Sequence, residues 1–453
     1  MSSVWSRFVA CSLMLCFGLG ALLAQTDNLN IKPKGNSPYS RFGLGNLVDQ
    51  YFMASGGMAG LSAAFQDPFH LNIKNPASLS WLQATAFEVG LDGRYASLDG
   101  GEEVANNWSG NLRYMALAFP LKNPINEAID RRRSPLGIGM AFVLQPYSSV
   151  GYDVLAELEG DGTGNTVNSF KGAGGTYRFI WGNSVRYEGF SAGVNLAYLF
   201  GKLTNSRRIE FPDQVNAYNS EFLDETSLSG WMWEFGAQYA FEFMEPNNKG
   251  EREFTGKRLV AGIFGSGTNS FNTRTTNFVS RDNRNYNVVR DTISFSENVR
   301  QNGQFPSTLS VGLTYEEINR LRVGLEYGHE FWSQYENEAK PESLSNSWNL
   351  RVGAEYIPDN GSYNNYFEKV RYRLGGFYKL DPRTFGVGQL KQFALTMGFG
   401  FPIVRPRQQT SFVNFAVEVG RFGHPDLIQE SYIKMGLGFT LNDNTWFFKR
   451  KFN

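Results

Sequence analysis

The sequence predicts an all-β protein: a transmembrane antiparallel β-barrel of about 14 strands with an N-terminal plug or hatch segment in its lumen. Three observations predict it. Period-two alternation of oily with small or polar residues starts near Ala84 and runs almost to the C-terminus. Aromatics form 15% of the 453 residues and glycine reaches 49, yet only 42% of residues are hydrophobic, which supplies lipid anchors without an apolar helical span. An apolar leader and a Gly/Ala-rich stretch, Ala54 to Leu79, precede the first strand.

In chain order, Arg7, the apolar run Phe8 to Leu23 and then Ala24 read as a secretory signal, residues 1–24, cut near Ala24. The run is short for a retained membrane anchor. Both cysteines, Cys11 and Cys16, lie in this leader without the small flanking residues of a lipid-attachment site. The mature chain is then expected to have no disulfide and no thiol chemistry.

Residues 25–83 read as tether and plug. Thr26 to Asn36 is a polar tether, Pro38 to Gly45 a short aromatic and glycine segment, and Leu47 to Ser55 one or two helical turns with Phe52 and Met53 packed inward. Beyond them, Gly56, Gly57 and Gly60 allow close backbone approach and sharp turns, while Pro68 and Pro76 keep the stretch from becoming a ladder strand. With Asp67, Asn75 and Ala77 they are the expected plug and gating residues.

Residues 84–453 read as the barrel. From Gln392 to Phe401, Phe393, Leu395, Met397, Phe399 and Phe401 alternate with Gln392, Ala394, Thr396, Gly398 and Gly400. The same split recurs around Trp231 to Phe243 and Ile433 to Leu441. Reading every such segment places strands at 84–98, 110–121, 135–147, 166–182, 188–201, 227–243, 257–265, 307–316, 320–331, 346–356, 370–380, 391–402, 411–420 and 432–441. Short connections then alternate with long ones, as inner turns and outer loops do in bacterial outer-membrane barrels. The two longest outer connections are 202–226 and 266–306. Alternating pieces inside the latter, 273–280 and 287–295, continue as a hairpin above the membrane or add two strands, for a count of sixteen. Trp108, Trp181, Trp231, Trp332, Trp348 and Trp446 are expected at the membrane interfaces. A soluble sandwich or propeller is the competing reading, but soluble sheets rarely put aromatics on every outer face.

The polar face carries Glu88, Arg94, Arg322, Glu326, Arg351, Glu355, Arg371, Arg373 and Glu418. On neighbouring strands these would form paired ladders that fill the lumen and hold the plug, or else select a substrate. Lys+Arg and Asp+Glu are equal at 43 each, so no basic face points to nucleic acid. His70, His329 and His424, three in all, lack metal-ligand spacing. No serine accompanies His329 in the manner of a lipase, and the cluster Ser55 to Gly60 lacks the lysine of a phosphate loop. No enzyme activity, cofactor or metal is expected.

Gly56-Gly57-Met58-Ala59-Gly60, Ala63-Ala64, Asp67 and Asn75-Pro76-Ala77-Ser78-Leu79, lying between leader and first strand, resemble the plug of the FadL-type outer-membrane transporters of hydrophobic compounds. Pro306 to Tyr315 is similar to a proline-led strand midway through such barrels. The resemblance implies a fourteen-stranded barrel in a Gram-negative outer membrane, in contact with its lipid. An N-terminal hatch would gate passive uptake of a fatty-acid-like or aromatic ligand that leaves through a gap in the wall. The charged lumen face, the segment Ser37 to Gly43 and the basic ending Phe447 to Asn453 depart from that transporter pattern, which leaves open a branch of the same family that resembles the PorV-type secretion component of Bacteroidota. That branch implies a barrel that docks proteins, here at loops 202–226 and 266–306. Transport predicts an apolar pocket behind the plug; docking predicts a lumen packed with charge and an apolar patch on the loops.

Overall fold

Strands alternate two unlike faces only when each face meets a different medium, and the computed structural model of this chain closes such strands into a barrel. It describes residues 31, 33–101, 104–122, 134–158, 165–214, 216–246, 252–283, 288–405 and 409–443. The strands are β1 (Asn46–Leu47), β2 (Thr85–Asp99), β3 (Val104–Pro120), β4 (Leu136–Leu158), β5 (Thr166–Tyr187), β6 (Phe190–Glu210), β7 (Asn219–Pro246), β8 (Arg252–Ser266) and β9 (Asn269–Asn283). They continue as β10 (Val288–Phe305), β11 (Thr308–Glu317), β12 (Leu321–Glu330), β13 (Glu336–Asn337), β14 (Ser347–Tyr356), β15 (Arg371–Phe385), β16 (Gly388–Arg405), β17 (Gln409–Gly423) and β18 (Gln429–Asp443). A single helical turn, α1 (Met53–Gly56), precedes the wall.

β8 and β9 both pair with β7 and form two halves of one long strand. β10 pairs with β9, and β11 continues it between β8 and β12. With the two-residue β1 and β13 set aside, the wall has 14 strands, every neighbour antiparallel. β18 closes it on β2 in unbroken register from Gln429↔Asp99 to Asp443↔Thr85.

Each of the fourteen expected segments overlaps one wall strand, and the sixteen-strand alternative does not hold. Residues 273–280 and 288–295 lie in the paired strands β9 and β10, which prolong β8 and β11 beyond the membrane band, and residue 287 lies outside the described residues. The stretch 202–226, expected as a loop, is mostly ladder: pairing continues from Lys202↔Ser227 to Ile209↔Ser220. Above the lipid both faces of a strand meet water, so the hydropathy period fades while the backbone pairing persists.

The faces fall as expected. Leu395 is 71% exposed on the lipid side, whereas its neighbour Thr396 is 2% exposed and points inward. Trp108, Trp181 and Trp231 are exposed, and Trp348 is half-buried. Trp332 is 4% exposed and packs against Tyr335, so it belongs to no girdle; Trp446 lies outside the described residues. Thr85 and Asp443 mark one rim, the terminal rim. From the opposite rim β4 to β10 rise as a tall sheet: β4 has 23 residues and β7 has 28, against 10 each in β12 and β14.

Candidate functional site

The lumen holds the chain's own residues 33–83, and the wall is shaped to receive them. Inward-facing glycines meet this segment on strand after strand, in ring order. Met53 lies over Gly438 of β18, and Gly57 lies over Gly398 of β16, where a Cβ on Gly57 would fall 2.7 Å from the Gly398 Cα. Met58 and Ala59 cover Gly353 of β14 and Gly375 of β15, and Leu61 covers Gly324 of β12. Ala63 presses on Gly312 of β11 and Gly262 of β8. The path continues with Asn75 on Gly236 of β7, Pro76 on Gly193 of β6, Leu79 on Gly182 of β5 and Ser80 on Gly137 of β4. Any side chain larger than hydrogen at these wall positions would occupy the segment's own volume. The turn that sends the chain around the ring is made by Ala59 and Gly60, with φ of 56° and 72°, and a Cβ on Gly60 would strike the Tyr51 ring.

Because irregular backbone inside a barrel has no ladder partner, its polar groups need side chains. The wall supplies them. Glu326 accepts from Ser62 N at 2.6 Å and Ala63 N at 2.7 Å. Arg351 donates to Ala59 O at 2.9 Å, and Thr396 Oγ1 accepts from Ala59 N at 2.9 Å. Glu88 accepts from Leu71 N at 2.8 Å, and Asn195 donates to Ile73 O at 2.7 Å. Inside the segment, Asn75 donates to Ala63 O at 2.6 Å and accepts from Ala77 N at 3.2 Å, which caps the 3-10 turn Pro76–Trp81.

Charged side chains of the inner face bond one another across neighbouring strands. Glu316 bonds Arg258 and Arg322 at 2.6 Å each, Arg322 bonds Glu355 at 3.0 Å, and Glu355 bonds Arg373 at 2.7 Å. Arg322 also donates to Gln66 O at 3.0 Å, and Arg371 donates to Asp67 at 2.7 Å. Glu418 accepts from Tyr51 at 2.8 Å and Tyr432 at 2.7 Å, and Arg94 pairs with Glu430 at 2.8 Å. Glu316, Arg258, Thr396, Asn195 and Arg113 are not among the expected site residues, although Thr396 falls on the small polar face read from the sequence. The first four stand on inward-parity positions and were readable in principle; Arg113 was not, because a bulge between Gly90 and Leu91 resets its parity.

Arg113 marks a seam. β3 pairs with β4 only from Met115↔Leu144 to Pro120↔Gly139, so the two strands separate above that point. Pro146, which lacks an N–H, and a bulge before Ser148 bend β4 there. Residues 46–53 fill the opening. β1 pairs with Ser148 and Ser149 of β4, Val48 N donates to Tyr147 O at 3.0 Å, and Gln50 donates to Pro146 O at 3.0 Å. From the other edge Arg113 donates to Tyr51 O at 3.3 Å and Asp49 O at 3.1 Å, and Tyr114 accepts from Met53 N at 3.0 Å.

The histidines lie apart. His70 is buried between Asp67 at 3.0 Å and Asn414 at 3.2 Å, His329 packs on Phe331, and His424 sits in an exposed turn beside Asp426 at 3.5 Å. Among the described residues no group of three or more His, Cys, Asp or Glu could hold a metal ion.

Comparisons with known proteins agree with this architecture. The model of the BamG family matches residues 13–453. No curated protein matches in sequence. Among solved structures, the toluene transporter TbuX of Ralstonia pickettii superposes with a TM-score of 0.52 at 14% identity, covering 87% of this chain and 98% of its own. The Pseudomonas putida toluene transporter TodX gives 0.52 at 13%, covering 87% and 99%. A Pseudomonas aeruginosa FadL homologue gives 0.50 at 12%, covering 88% and 98%. At these identities the likeness carries the fold.

Proposed function

This chain belongs to the BamG family, and with its FadL-type barrel as the premise we propose that it is a closed outer-membrane barrel that docks or scaffolds a protein assembly rather than an open pore. The observation that carries this reading is the lumen, filled around its circumference by residues 53–80 and held through buried charges. Expelling that segment would take Asp67 from Arg371 and the backbone groups of Ser62, Ala63 and Ala59 from Glu326 and Arg351, and stranding one partner of a buried ion pair such as Arg371–Asp67 costs about 3–5 kcal/mol. The closed state is therefore the favoured one. Removal of residues 1–24 near Ala24 would leave both ends of the wall at the periplasmic rim. The tall sheet of β4 to β10, which takes in the described parts of 202–226 and 266–306, would then stand at the cell surface, where a protein partner would meet it.

A second reading, a gated passive channel for hydrophobic small molecules, is favoured by the β3–β4 seam. It is a lateral opening in the wall stopped by residues 46–53. In that reading Gly56, Gly57, Gly60, Asp67, Asn75, Pro76 and Ala77 form the gate.

Purification of the full chain from membranes in mild detergent, followed by native mass spectrometry, separates the two. A stoichiometric protein partner without a bound hydrocarbon supports docking. A bound fatty acid or aromatic compound, with uptake of a labelled hydrophobic compound into liposomes, overturns it in favour of the channel.

A further inference from the structure

We propose that the outer wall holds one zwitterionic phospholipid of the periplasmic leaflet, its acyl chain in a groove across β7, β8, β11 and β12 and its headgroup at Lys257, Arg320 and Glu317. The groove encloses about 540 Å³, and its walls are Tyr239, Ile263, Leu313 and Leu325 over a floor that includes Ala237 and Ala261. That volume lies in the range of sites that bury a small molecule, not of a protein interface. Its depth comes from the lipid-facing side, where the small Ala237 and Ala261 stand between the larger Tyr239, Ile263, Leu313 and Leu325; on the opposite, lumen side of the same wall Gly262 and Gly312 seat Ala63.

The groove lies in the apolar band, so its occupant is a hydrocarbon drawn from the bilayer. The rim below specifies a headgroup. Lys257 is exposed, on the same strand and the same face as Ala261, four residues nearer the terminal rim. At about 3.3 Å per residue that separation is roughly 13 Å. Lys257 stands opposite Glu317, and Arg320, with its side chain 65% exposed, meets Glu317 at 3.2 Å. Two cations flank one carboxylate there. A phosphate suits Lys257 and Arg320, and an ammonium group suits Glu317, the charge order of an ethanolamine headgroup.

The site is independent of whether the barrel docks proteins. It is tested by extracting the full chain from membranes, washing it in detergent, and quantifying retained phospholipid by mass spectrometry. The wild type is expected to keep a single phosphatidylethanolamine. Ala261→Trp fills the groove from the lipid face without altering an inward side chain, and should abolish retention. Lys257→Gln with Arg320→Gln, at the exposed rim, should lower it about tenfold, the loss expected of charge-assisted contacts. A heat-dependent gel shift reports that each variant still forms a barrel. Equal retention by Ala261→Trp, or no retained phospholipid in the wild type, overturns the proposal; so does a membrane protein, rather than lipid, crosslinked to Cys introduced by Ile263→Cys.

Discussion

Asp67 Oδ2 accepts a hydrogen bond from Arg371 Nη1 at 2.7 Å across 304 residues of chain, and both side chains are buried. The same carboxylate lies 3.7 Å from Arg322, and its other oxygen accepts from Phe69 N and His70 N. One side chain thus ties the middle of the lumen segment to two wall strands and folds the local turn. Asp67→Ala leaves Arg371 facing no carboxylate nearer than Glu355 at 4.0 Å, so the expected cost is about 3–5 kcal/mol. Urea unfolding in detergent measures it, and Asp67→Leu with Arg371→Met should recover most of the loss. Additive losses in that double variant would show that the two residues do not act as a pair.

Asn75 bridges two parts of the same segment, from Ala63 O to Ala77 N. Asn75→Ala with Pro76→Ala removes both the bridge and the turn that fixes it. Each buried group left unsatisfied costs about 1–3 kcal/mol. The segment should loosen, and small-solute leakage from liposomes carrying the variant should rise above the wild-type level. Unchanged leakage would mean that the ring of contacts alone keeps the lumen shut.

Gly353 tests that ring directly. A Cβ there would lie 2.6 Å from Met58 O and 2.8 Å from the Met58 Cβ, so Gly353→Val forces the segment and not the strand to move, at a cost of about 1–3 kcal/mol. A cysteine introduced by Met58→Cys should react slowly with a water-soluble maleimide in the parent barrel and readily in the Gly353→Val background. Equal reaction rates would place the strain in the wall.

The fourteen strands were legible because lipid imposes a period that composition cannot hide, whereas the ladder through Glu316 and Arg258 was not read although both stand on the inward parity. Above the lipid that imprint disappears, which is why 202–226 read as a loop although it is ladder on both sides of the turn. The inner glycines were visible as small residues, but their reason was not. Gly262 and Gly353 are small because Ala63 and Met58 occupy the adjoining space, a relation between positions roughly 200 and 300 residues apart that no local pattern records. The seam was hidden for a second reason. It depends on a bulge at Arg113 and a bend at Pro146, and each shifts the parity from which faces are read.

Leu395 and Thr396 give the sharpest contrast between the faces. Leu395 is among the most exposed apolar side chains of the wall, while Thr396 receives Ala59 N and donates to Gly57 O at 3.1 Å. Leu395→Arg should cost roughly 2–4 kcal/mol if the residue lies near the bilayer midplane, because the guanidinium then has no polar partner on the lipid side. Thr396→Val keeps the shape but removes both hydrogen bonds to the segment, so it should leave barrel unfolding in urea nearly intact and speed proteolysis of residues 53–63. The two variants therefore separate the forces on the two faces: the first reports on bilayer contact through refolding into liposomes, the second on lumen occupancy through protease access. A Leu395→Arg variant that refolds as efficiently as the wild type would reverse the assignment of the faces.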